Sequence, residues 1–88
     1  MQYLDNSVML DALKKVQEVQ SNILKAGYSA WIEGNVSTSV SDGETRIYFD
    51  LIVFEGGTLV QKFVFDAQDS KEHIDARVAM AQAYAKTL

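Results

Sequence analysis

The chain has 88 residues and a mass of 9.8 kDa, room for one domain, since independent domains usually run ~50–250 residues. Hydrophobic residues make up 48% and charged residues 23%, too apolar for intrinsic disorder, yet no run approaches the ~20 apolar residues of a membrane span. Zero cysteines exclude a disulfide framework, a thiolate zinc site and a cysteine nucleophile, and a formal charge of −4 speaks against nucleic-acid binding, which needs a basic footprint. The opening Met1-Gln2-Tyr3-Leu4-Asp5 has neither the basic nor the apolar region of a secretory signal, so a cytoplasmic location is expected. A chain this short buries only about 60–65% of its unfolded surface, and domains of this size lean on disulfides, metals or association. Association is the device this composition leaves.

The periodicity predicts a first helix from about Asn6 to Ala26. Met9, Leu13, Val16, Val19 and Ile23 recur at three- and four-residue spacing, with Ala12 and Gln20 beside them and charged residues opposite. Asp5 is the expected N-cap, with Leu4 and Met9 placed as a hydrophobic staple, and Gly27 supplies the left-handed stop. Three strands follow, about Tyr28–Val40, Thr45–Glu55 and Thr58–Asp66. They are separated by Asp42-Gly43 and Gly56-Gly57, which tolerate the positive φ of two-residue hairpin turns. A second helix is expected from about Ser70 to Thr87. Asp69 followed by Glu72 reads as an acidic capping box, and Ile74, Val78, Ala81, Ala85 and Leu88 form its apolar stripe. The fold class is therefore α+β: a two-layer α-β-β-β-α domain, with both helices on one face of a three-stranded antiparallel meander.

A two-residue turn at Asp42-Gly43 would fix the cross-strand partners. Ile32 would face Val53, Gly34 Leu51, Val36 Phe49 and Thr38 Ile47, an aliphatic set assigned to the helices. On the opposite face Trp31 would pair with Phe54, Glu33 with Ile52, Asn35 with Asp50, Ser37 with Tyr48 and Ser39 with Arg46. Continued through Gly56-Gly57, an unbroken register puts Val60, Lys62 and Val64 with the helices and Leu59, Phe63 and Phe65 opposite them. A glycine bulge would exchange those sets. Either way Trp31, Tyr48, Ile52 and Phe54 lie away from the helices.

That face is the anomaly in the sequence. A solvated face of an antiparallel sheet should read polar, and this one carries several large side chains. Four of them exposed together would make a patch of about 300–600 Å², the size that marks interaction sites. The alternative is that sheet twist or the second helix covers part of it.

Residues suited to chemistry are sparse. His73 is the only histidine, beside Ser70 and Asp75, and reads as an exposed residue of a helical first turn. Asp66, Asp69, Glu72 and His73 gather at the start of the second helix, where the helix dipole accounts for negative charge without a metal. Glu33 and Asp50 near Asn35 and Trp31 could suggest paired catalytic carboxylates, but a three-stranded meander offers no cleft, and a polar rim is the simpler reading. Gly34 in mid-strand marks a bulge or a close backbone approach.

In element order the chain resembles the double-stranded RNA-binding domain. That family opens its second helix with a Ser/Asn-Lys-Lys-x-Ala-Lys run that grips phosphates, and the matching stretch here is Ser70-Lys71-Glu72-His73-Ile74-Asp75. Lys71 keeps the first lysine, whereas Glu72 and Asp75 reverse the later charges, so the resemblance implies shared architecture and not RNA binding.

The sequence thus points to a small non-enzymatic interaction protein, a homodimer joined through its aromatic sheet face. Trp31, Tyr48, Ile52 and Phe54 form the expected centre, with Glu33, Arg46 and Asp50 around them. Arg46 facing Glu33 or Asp50 of a second copy would make the patch self-complementary. The alternative keeps the surface and changes the partner: a phage or mobile-element accessory protein that inhibits a host protein, of the anti-CRISPR or DNA-mimic kind. A third reading, a stacking platform for nucleic acid or a small ligand, is disfavoured because the polar groups on that face are largely acidic. No cofactor, metal, membrane, nucleic acid or small-molecule substrate is expected.

Overall fold

The first apolar stripe forms helix α1 (Asn6–Lys25), which buries Met9, Ala12, Val16, Val19 and Ile23. The structure, a computed structural model, describes residues 3–38 and 43–88. Asp5 caps α1 through its backbone only: Val8 and Met9 donate N–H to its carbonyl, and its side chain makes no capping bond. At the other end Gly27 takes φ +94°, Gly27 N–H donates to Leu24 O, and Tyr28 N–H to Ile23 O. This is the double hydrogen bond of a Schellman stop, which needs a residue free to adopt positive φ.

The sheet has the order β1-β2-β3, with β1 (Ser29–Thr38), β2 (Thr45–Glu55) and β3 (Thr58–Asp66) antiparallel and β2 central. Helix α2 (Lys71–Lys86) closes the α-β-β-β-α order. Both helices lie on one side, α1 against β1 and β2, α2 against β3 and α1. The molecule is a slab whose Cα atoms span 43 × 24 × 16 Å, two layers thick.

The β1–β2 register differs from the sequence expectation by two residues. Ala30 faces Val53, Ile32 faces Leu51, Gly34 faces Phe49 and Val36 faces Ile47. Among the described residues pairing extends to Thr38–Thr45, and Gly43 has φ +72°. Arg46 faces Ser37 in place of the expected Ser39, whereas the expected Val40 strand end and Asp42 lie outside the described residues. A shift of two preserves side-chain parity, so the described β1 and β2 side chains keep their expected faces. What changes is the neighbours: Gly34, with no side chain, now lies beside Phe49, which stacks on Phe65 at 4.9 Å between ring centroids.

At the second hairpin a bulge does appear. Phe54 faces Leu59 but Val53 faces Gln61, which leaves Val60 as the extra residue. The bulge turns Phe63 and Phe65 inward and Lys62 and Val64 outward, the exchanged arrangement. Burying a phenylalanine is worth about 1.5–3 kcal/mol, so two of them outweigh the local loss of pairing. The core then unites α1, the inner sheet residues, Ala67 and the α2 residues Ile74, Val78 and Ala81.

Helix α2 is capped one residue later than expected. Ser70 Oγ accepts the His73 N–H at 3.1 Å, while the Asp69 N–H donates to Asp66 O in the preceding turn. Asp69 is thus part of the turn, and Ser70 is the residue in extended conformation that a cap requires. Leu88 falls beyond the last helical turn and is exposed, unlike the rest of its expected stripe.

Candidate functional site

Alternation and the bulge together place four described rows of side chains on the sheet face opposite the helices. Reading from β1 to β3, these rows are Ser29–Phe54–Leu59, Trp31–Ile52–Lys62, Glu33–Asp50–Val64 and Asn35–Tyr48–Asp66. Trp31, Tyr48, Ile52 and Phe54 thus share one face, as expected from the sequence, and none belongs to the core on the helix side. Their partners differ from expectation: Trp31 faces Ile52, Glu33 faces Asp50, and Asn35 faces Tyr48.

The face is graded along the strands. Its apolar end lies near Gly56-Gly57, where Trp31 is 60% exposed and Leu59 53% exposed. Between them Phe54 is half-buried, and Ile52 is only 9% exposed although no helix covers it. Neighbouring side chains on the face itself therefore shield its centre. Beside Trp31 lies a shallow concavity of about 470 Å³, lined by Ser29, Trp31, Glu33, Phe54 and Gly57.

The other end is polar and largely paired. Lys62 Nζ lies 3.5 Å from Asp50 Oδ2. Asn35 Nδ2 donates to the Tyr48 hydroxyl at 3.0 Å. Arg46 packs its guanidinium over the Tyr48 ring, 5.2 Å from the centroid, and its buried Nε is 3.8 Å from Asp66 Oδ1, an ion pair too long for a hydrogen bond. Arg46 and Asp50 are thus engaged within the chain, and Glu33 is the carboxylate of this set with no hydrogen bond or ion pair among the described residues.

Several groups at the start of α2 are engaged within the fold. Arg77 donates to His73 Nε2 at 2.7 Å and to Val64 O at 3.0 Å, tying α2 to β3 and requiring the ring proton on Nδ1. Asp66 accepts the Gln68 N–H, and Lys71 pairs with Asp75 at 2.7 Å. Among the described residues no three His, Asp or Glu side chains come together as a metal site. A second apolar recess, about 650 Å³, lies where α1 stops short of the β1 edge, with Leu10, Leu13, Ile32 and Val36 on its walls.

Ser29, Lys62, Val64 and Gly57 complete the open face and were not among the residues singled out from the sequence. The signal was present: Lys62 fits poorly on a buried face, and an inward lysine is what the bulge removes. No family model, curated protein or solved structure matches this chain.

Proposed function

We propose that the chain is a non-enzymatic association module that forms a homodimer through the open face of its sheet. The observation that carries this reading is the apolar end of that face, with Trp31 60% exposed beside Phe54 and Leu59. Aromatic residues lose little conformational freedom on binding and are enriched at interface centres, and their exposure to water costs free energy that a partner recovers. A stable interface buries ~800 Å² per partner, about a seventh of the 5511 Å² surface of this chain. The dimer therefore engages the broad face as a whole, with Trp31, Ile52 and Phe54 at its centre and Glu33, Asp50, Tyr48 and Arg46 along its polar end.

The polar end supports register and orientation more than affinity, because its ion pairs are already made within each copy. Two copies together carry twice the charge of −4, so association is expected to strengthen with salt as repulsion is screened. Sedimentation equilibrium across the micromolar range tests the reading. The wild type should approach twice 9.8 kDa, and Trp31→Glu should remain at the monomer mass. Leu10→Glu, in the recess between α1 and β1, should leave the dimer intact. A wild type that stays monomeric, or a Trp31→Glu variant that dimerises like it, contradicts the reading.

A further inference from the structure

Glu33 and Asp50 are direct cross-strand partners on the open face, and like charges so placed are destabilising. Lys62 relieves Asp50, while Glu33 has no partner among the described residues. Two residues away on the same strand, the exposed Trp31 indole N–H likewise has no acceptor. Glu33 and Trp31 both line the concavity of about 470 Å³, together with Phe54, the small Ser29 and Gly57. An unmatched acceptor and an unmatched donor thus occur together on the wall of one recess.

Resting on the homodimer reading, the geometry points to a reciprocal insertion: Trp31 of each copy enters the concavity of the other, packs on Phe54 and donates its Nε1–H to Glu33. A two-fold axis makes the contact twice with one set of residues, because donor, acceptor and recess are all on the same chain. Tryptophan is suited to the role, having a large apolar body and one polar handle that seeks an acceptor when buried. Glu33 is then an indole acceptor, which accounts for a carboxylate kept opposite Asp50 in a chain already negative.

The test follows one dilution series by sedimentation and by the emission of the single tryptophan, for wild type, Glu33→Ala, Glu33→Gln and Ser29→Phe. Emission of the wild type should move to the blue as dimer forms. Glu33→Ala should weaken the dimer about a hundredfold or more, because the two-fold removes two hydrogen bonds to charged groups, each worth at least about tenfold. Glu33→Gln, which keeps an acceptor oxygen, should recover most of that loss. Ser29→Phe fills the recess from an exposed strand position and should weaken the dimer at least as much. Electrostatic repulsion alone gives the opposite sign, since removing Glu33 makes the chain less negative. If Glu33→Ala tightens the dimer, or the dimer forms with unchanged emission, the insertion is wrong and the homodimer stands. If the wild type is monomeric throughout, both fail.

Discussion

The two faces of one sheet use the same strands for different ends. On the helix side, Phe49, Leu51, Val53, Phe63 and Phe65 are buried under α1 and α2, and the Phe49–Phe65 stack lies beside the gap left by Gly34. On the open side, Ile52 is shielded by its neighbours while Trp31, Leu59 and Val64 remain exposed. Alternation alone decides which residues share a face. What each face becomes depends on whether something covers it, and in a single copy only one face is covered by helices.

The largest expected effect is on the covered face. Phe65→Ala should cost about 3–5 kcal/mol in urea unfolding, enough to unfold much of so small a domain, because the stack and the α2 contacts leave no easy collapse into the cavity. A loss as small as that of an exposed residue would erase the contrast between the faces. Gly34→Ala should act in the opposite direction. A Cβ there would meet Phe49 Cβ at 3.5 Å, ordinary contact, so the variant should gain about 0.5–1 kcal/mol from reduced backbone freedom.

Trp31→Ser should cost the monomer no more than about 1 kcal/mol, its cross-strand contact with Ile52, while abolishing association, the signature of a side chain that packs mainly on a partner rather than on its own core. Unfolding measured well below the dimerisation range separates the two effects. The smallest effect concerns Tyr84, which packs edge-on against Phe63. Burial raises its hydroxyl above the ordinary value of 10.0, with Tyr28 and Glu55 adding to the shift. The folded state therefore holds this proton more tightly than the unfolded chain. That contribution is intact below pH 10 and lost as pH rises through the folded-state pKa. The urea midpoint should accordingly fall less steeply for Tyr84→Phe above pH 10 than for the wild type.

The element order and the assignment of β1 and β2 side chains to faces were legible in the sequence, because helical and alternating periods are strong and Gly27 and Gly56-Gly57 punctuate them. Pairing register was not. A shift of two residues preserves parity, so hydrophobic alternation cannot distinguish Glu33 opposite Ile52 from Glu33 opposite Asp50. The β3 face depended on a bulge that glycines permit but do not require, and the inward Lys62 was the residue that favoured it. Exposure was the least legible quantity. Ile52 and Trp31 are neighbours on the same face, yet one is shielded and the other open, a difference set by packing among side chains from three strands.

The claim that the open face joins two copies is tested most directly by mixing isotope-labelled and unlabelled chains and recording only the nuclear Overhauser effects that pass between them. Cross-peaks from the Trp31 indole protons to Phe54 or Ile52 of the other chain are the expected result. Intermolecular cross-peaks confined to Leu10, Leu13 and Val36 at the β1 edge, or none at concentrations where the dimer should prevail, would contradict it.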